Sequence, residues 1–284
     1  MSLRPVTLYQ FQAGQLQGYF RGVAPAPGIE LTAAGERQTL TPPGASLLSL
    51  THYLSDAMVG PEAPLAAART EELNDDTLAV RYFPVEQWPV DALVELTVVG
   101  DYIDIGFNFH FREHLPGFEA QVLSSLSPDL PPAHVHVGGE WFRPALHAKE
   151  LCFFSRDEAV SATIESGRWD FCFTRGYNVV LDDRGYDYPL LAYVDERSGW
   201  SLVQMLMIDE CPSISLCAEP LQYNFSLVGR DVKAGEVVAC HARLIYGPYK
   251  EPEDLLPRYH QFVRDVRGGT FGPQASQGRT PASR

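Results

Sequence analysis

Apolar and polar residues trade places every second position over residues 78–82, 92–99 and 102–112. That is the period of a pleated strand with one face buried, and an amphipathic helix cannot carry it. Shorter strand signals follow at 135–137, 159–165, 168–174, 190–195, 200–208, 213–217, 223–229 and 236–246. Turn chemistry separates them: Val99-Gly100-Asp101, Gly138-Gly139, Ser166-Gly167, Arg197-Ser198-Gly199 and Lys233-Ala234-Gly235-Glu236. Strands joined by short turns pair antiparallel, because a parallel pair needs a long crossover. The pattern predicts an all-β chain, a large antiparallel sandwich or closed barrel. Residues 47–58 fit strand and helix equally.

One helix is expected. After Glu251-Pro252, the apolar residues Leu255, Leu256, Tyr259, Phe262, Val263 and Val266 recur at a helical period, and Gly268-Gly269 ends the run. This reads as a short C-terminal amphipathic cover on the sheet. The proline- and glycine-bearing stretch 25–43 reads as a loop-rich lead-in. Residues 1–268 are expected to form a single β-sandwich domain, and 269–284 a disordered tail with Phe271 as its one large apolar group.

Composition narrows the partners. Twenty-two basic against 36 acidic residues give a net charge of −14, a surface that a phosphate backbone repels, so nucleic acid is not expected. No run approaches the roughly 20 apolar residues that span a bilayer, and no membrane partner is expected. The five cysteines, an odd number without a CxxC pair, read as free thiols of a reducing compartment. With no secretory leader visible at the N-terminus, a cytoplasmic location follows. Nucleophile elbows, phosphate-binding glycine loops and paired-cysteine zinc spacings are absent from the sequence, and no cofactor is implied.

Chemistry concentrates in a few segments. In Asp104-Ile105-Gly106-Phe107-Asn108-Phe109-His110-Phe111-Arg112-Glu113-His114 the phenylalanines share one strand face. Asp104, Asn108, His110, Arg112 and His114 share the other. Sugar hydroxyls both donate and accept, so such a row suits a polyol, and it equally suits a solvated outer face. His134-Val135-His136 places two imidazoles on one strand face, able to act as acid and base. Trp141, and the loops holding Arg175 and Tyr188, offer groups that could wall a sugar site or anchor the loops.

The run His134-Val135-His136-Val137-Gly138-Gly139-Glu140 reads HxHxxxE and resembles the first metal motif of the cupins. That resemblance implies His134, His136 and Glu140 as metal ligands. The glycines flanking the cupin motif and a second motif are missing, so the preferred reading has no metal.

Ile214-Ser215-Leu216-Cys217-Ala218-Glu219-Pro220 is an apolar strand ending in a glutamate. A loop follows, then a Lys-x-Gly-Glu turn at Lys233–Glu236 into a last strand. This resembles the C-terminal part of the aldose 1-epimerase (galactose mutarotase) group. The resemblance is diffuse over residues 75–250. It implies a β-supersandwich with a sugar site on one sheet, and isomerase chemistry with Glu219 as general base. The family's acid is a histidine, and His134, His136 and His110 are the candidates by strand position. Asn108, Arg112, His114, Trp141, Arg175 and Tyr188 would bind the sugar. Opening a hemiacetal moves one proton off and another on, so acid and base must flank one ring. The asparagine- and histidine-rich signatures of true mutarotases are not visible, so epimerase, lyase and hydrolase chemistry stay open. The rival readings are a cupin-like metal enzyme and a non-catalytic sandwich that binds sugar or protein.

Overall fold

The computed structural model describes residues 8–22, 27–35, 37–38, 40–56, 58–59, 68–74, 76–130, 133–167, 176–218 and 221–272. Along the chain come β1 (Leu8–Ala13), β2 (Leu16–Arg21), β3 (Gly28–Ala34), β4 (Arg37–Gln38), β5 (Ser49–Ser55), β6 (Met58–Val59) and β7 (Ala68–Asn74). Next are β8 (Thr77–Tyr82), β9 (Val90–Val99), β10 (Tyr102–Phe111), β11 (Leu115–Ser125), β12 (His134–Val137), β13 (Glu140–Phe142) and β14 (Glu150–Ser155). Helix α1 (Glu158–Glu165) precedes β15 (Asn178–Asp182), β16 (Tyr188–Asp195), β17 (Trp200–Leu206), β18 (Ser213–Cys217), β19 (Gln222–Val232) and β20 (Val237–Gly247). Helix α2 (Leu256–Arg267) follows a single 3-10 turn over Pro252–Leu255.

The strands make three sheets. One has four strands in the order β1-β2-β3-β4. One has nine, β13-β12-β16-β17-β20-β10-β9-β8-β7, and one has seven, β15-β14-β18-β19-β11-β5-β6. The two large sheets face each other across one core. Strand β10 contributes Ile103, Ile105, Phe107, Phe109 and Phe111 to it, the face that the alternation marks as apolar. Ala120, Val122, Phe225 and Leu227 answer from the seven-stranded sheet, and Phe11, Leu16, Phe20 and Ile29 bring in the small sheet. Burying each large apolar side chain contributes about 2 kcal/mol. The rings interlock edge to face, as with Phe111 and Phe118 at 4.8 Å and 75°.

The all-β sandwich with a short C-terminal helix is the fold observed, with local differences. Residues 159–165, expected as a strand, form helix α1. Asp157 caps it by accepting a hydrogen bond from the Val160 amide, and Glu158 sits in its first turn. That cap, with the helical i, i+3, i+4 spacing of Val160, Thr163 and Ile164, outweighs the strand propensity of their β-branched side chains. The stretch 25–43, expected as loop, contains β3 and β4, with Ile29 and Leu31 buried in the core. Residues 47–58 resolve as strands β5 and β6. Pairing is antiparallel except between β14 and β15, which run parallel because α1 lies in the crossover between them. The expected strand 168–174 lies outside the described residues, as does Cys172. Cys152, Cys211 and Cys240 are free thiols. Residues 269–272, expected in the tail, pack back on the sheet: Phe271 meets Phe262 and His241, and the Gly272 amide donates to Asp104. Among the described residues no helix is long and apolar enough to cross a membrane.

Gly229 in β19 shows how tightly the loop at Pro212 is held against the sheet. Its φ is +63°, and a Cβ there would lie 2.1 Å from Pro212 Cγ. Gly235 has φ +80° with nothing within 4 Å. Gly229→Ala is expected to cost about 3 kcal/mol in urea unfolding, and Gly235→Ala only about 1 kcal/mol of backbone strain. Equal losses at the two sites would refute the packing account.

Candidate functional site

The outer face of the nine-stranded sheet is where most of the expected site residues stand. Its middle is sealed. Leu190, Ala192, Val203, Met205 and Ile245 meet Leu255, Tyr259 and Phe262 from the α2 region. At the edge of this apolar seal Arg243, 4% exposed, is clamped between two carboxylates. Its Nε donates to Asp104 Oδ1 at 2.6 Å, its Nη2 to Asp104 Oδ2 at 3.1 Å and its Nη1 to Asp265 Oδ2 at 2.7 Å. Asp104, first of the polar row on β10, is therefore structural.

The rest of that row is open. Asn108 Nδ2 donates to Glu95 Oε2 at 3.3 Å. His110 is exposed, with Asp91 and Val237 as its cross-strand neighbours. Arg112 lies beyond the strand end, 3.7 Å from Asp91. His114 Nδ1–H donates to the Val232 carbonyl at 2.9 Å, which leaves Nε2 as the acceptor nitrogen.

Strand β12 lies at the far side of the same sheet. His136 is buried, and its Nδ1 is 2.7 Å from Asp187 Oδ2. The Gly139 amide donates to the same oxygen at 2.8 Å, and the Asp187 amide donates to the His136 carbonyl at 2.8 Å, so the pair is fixed on both sides. Trp141 stands edge-on to the imidazole at 5.1 Å, and Tyr188 is 5.1 Å away. The structure thus brings together His136, Trp141 and Tyr188. His134 sits beside them opposite Ala192, with its Nδ1 buried and unpartnered. Burial, followed by the charge of Arg143, lowers its pKa.

Three strands, β16, β17 and β20, separate β12 from β10. Four steps across a sheet come to about 19 Å, and the α2 seal lies between. The β12 and β10 groups therefore do not line one hollow. Glu140 is exposed on the turn into β13, and among the described residues no three His, Cys, Asp or Glu side chains gather to hold a metal ion. Glu219 and Arg175 lie outside the described residues. Strand β18, which leads toward Glu219, belongs to the seven-stranded sheet on the other side of the core.

The outer face of that sheet carries a polar floor that the sequence reading does not single out. His52, Gln121 and Ser226 stand side by side across β5, β11 and β19. Asn224 and Ser215 are cross-strand partners on the next row toward β18. Glu119 Oε2 accepts from Ser226 Oγ at 2.7 Å and from Gln121 Nε2 at 3.3 Å. Exposure is 3% for Glu119, 2% for Gln121 and 1% for Ser226 and Ser215, so these polar groups are not a solvated outer face. The Ser215 hydroxyl is buried without a hydrogen-bond partner. From Glu119 to Ser125 along β11 the floor is about 20 Å long. Its signal in the sequence is the uncharged polar half of the alternation in Ser213-Ile214-Ser215-Leu216 and Asn224-Phe225-Ser226-Leu227.

The whole arrangement has solved counterparts. A GalM/aldose epimerase homologue from C. elegans superposes with a TM-score of 0.52 at 10% identity, over 86% of this chain and 100% of that one. The Slr1438 protein of Synechocystis sp. PCC 6803 superposes with a TM-score of 0.51 at 8% identity, over 86% and 97%. The fold is galactose mutarotase-like. No family model matches the sequence, and no curated protein does. At such identities the likeness is one of fold. It confirms the architecture expected from the sequence and favours it over the cupin double-stranded helix.

The Arg243 clamp has a pH signature. Burial pushes the Asp265 carboxyl up, but hydrogen bonds from Arg243 and Gln261 and the charge of Arg243 outweigh it, so the group sits below its ordinary value. A depressed carboxyl adds stability that is complete above its unfolded value, about pH 4, and lost as pH falls through the folded value. Asp265→Asn is expected to lower stability at neutral pH and to flatten the acid limb of the urea midpoint plotted against pH. An acid limb identical to wild type would remove Asp265 from the clamp's contribution.

Proposed function

We propose that this chain handles carbohydrate, with the sugar lying on the polar floor of the seven-stranded sheet and Glu219 as general base. The observation that carries the reading is the buried row Gln121, Ser226, Asn224 and Ser215 beside the carboxylate of Glu119. Amide and hydroxyl groups each donate and accept, as sugar hydroxyls do, and a row of them orients a neutral polyol without the cost of burying further charge. The floor is long enough for more than one ring, which suits an oligosaccharide as well as a monosaccharide. In the sequence Glu219 comes two residues after Cys217, the last residue of β18. The shared fold with a protein named as a GalM/aldose epimerase homologue supports the substrate class. The proton transfer proposed is that of the resemblance: the base takes the proton of the anomeric hydroxyl while the acid protonates the ring oxygen, the C1–ring-oxygen bond breaks to give the open aldehyde, and rotation about C1–C2 followed by reclosure through the reverse transfers gives the other anomer.

A second reading rests on His136. Its Nδ1 is committed to Asp187, which fixes the tautomer and leaves Nε2 for proton transfer, and Tyr188 and Trp141 supply aromatic walls. In that reading His136 is the acid or base of a site on the opposite sheet, with His134 beside it.

Exchange between the anomers of galactose and glucose, followed by NMR, separates the two. Glu219→Gln is expected to slow exchange by about 100-fold or more. Gln121→Ala is expected to raise KM with kcat little changed. His136→Gln is expected to match wild type. Loss in His136→Gln with full activity in Glu219→Gln would transfer the chemistry to β12. No acceleration by the wild-type protein would end the isomerase reading and leave a sugar-binding floor.

A further inference from the structure

On the other side of the sandwich, between α2 and the nine-stranded sheet, lies a slot of about 230 Å³. Its floor is Met205 and Ile245. One wall is the helix stripe Arg258, Gln261 and Asp265, spaced so that one helix side presents all of them. The facing wall is tyrosine: Tyr102, Tyr246 and Tyr249. The Arg243 guanidinium lies 3.9 Å over the Tyr102 ring, which fixes that ring in place. Arg258 stands over Tyr249 at 5.5 Å and makes no ion pair among the described residues.

Charge and shape together restrict the occupant. Two carboxylates, Asp101 and Asp265, and two guanidinium groups, Arg243 and Arg258, line the slot, so its formal charges sum to zero. Tyr246 is held by stacking on Trp200 at 5.0 Å, and tyrosine rings beside apolar side chains make an amphipathic lining that suits a ring with both C–H and hydroxyl groups. Burial raises the pKa of the Tyr102 and Tyr249 phenols, so both keep their O–H to donate. The Asp101 carboxylate accepts and the Arg258 guanidinium donates. The cavity is too small for an extended chain and holds about eight water volumes.

We infer that this slot is a second carbohydrate subsite, one that binds a single neutral sugar ring between α2 and the tyrosine wall, apart from the polar floor. The inference takes its ligand class from the carbohydrate reading above, but not its chemistry. The subsite would hold a neighbouring sugar unit or a separate chain and anchor the protein to its substrate, with no bond made or broken there.

Methyl β-D-galactopyranoside and methyl α-D-glucopyranoside are the probes, because a methyl glycoside has no free anomeric hydroxyl and reports binding without ring opening. Saturation-transfer NMR and calorimetric titration of the full chain are expected to show saturable binding of at least one of them. Arg258→Ala, an exposed helix substitution that spares the core, is expected to weaken that binding about tenfold, the loss of a hydrogen bond to a charged group. Tyr249→Ala is expected to weaken it at least as much. Glu219→Gln and Gln121→Ala are expected to leave this component unchanged. Binding that ignores Arg258 and Tyr249, or that vanishes only with Gln121, overturns the inference, as does no binding of either glycoside. Arg258-dependent binding by a protein that exchanges no anomers would sustain the slot and sink the catalytic reading alone.

Discussion

A pleated sheet offers two faces, and a sandwich can use only one of each sheet for its core. The fate of the remaining two faces decides what this molecule can do. On the nine-stranded sheet the outer face is largely apolar around β16 and β17, and α2 covers it. On the seven-stranded sheet the outer face is polar across β11, β18 and β19 yet buried. A helix answers the first need with hydrophobic contact. The second face gains from hydrogen-bonding company, which is why it is the stronger place for a polyol.

The buried clamp of Arg243 between Asp104 and Asp265 ties these layers together. Taking such charges out of water costs several kcal/mol per ion, and their mutual attraction need not return more than that. Its use is geometric. Asp104 belongs to β10, Arg243 to β20 and Asp265 to α2, so a bidentate pair on the sheet fixes the guanidinium, and its Nη1 aligns the helix through one directional bond that apolar packing alone would not specify. The same alignment creates the slot beside Tyr102, because the stripe Arg258, Gln261 and Asp265 must then face the tyrosines.

Much of the fold could be read from the sequence, since β10 displays its pleat without interruption from Tyr102 to Phe111. Strand β11 could not, because Pro116 and Gly117 interrupt its start and its register shifts there against β19. Helix α1 was hidden by residues of strand-like propensity, and the Asp157 cap with Glu158 in the first turn marks it. For the site, alternation correctly put Asn108 and His110 on a face opposite the phenylalanines. It could not say that α2 would lie between them and His136, nor that Asp104 would be consumed by Arg243. The polar floor escaped notice because serine, asparagine and glutamine are quiet residues. What distinguishes them is burial, a property of the assembled sheets.

The pairing of β10 with β20 has a further consequence, in time. It joins Tyr102 to Ile245 and His110 to Val237, neighbours across the sheet that are far apart in the chain. The centre of the nine-stranded sheet therefore cannot zip up until the last strand has been made. A nascent chain that has completed β7 to β10 exposes an unsatisfied strand edge and a row of phenylalanines while more than a hundred residues are still to emerge. Folds closed by such distant contacts mature slowly, and their half-built sheets are where unwanted association begins.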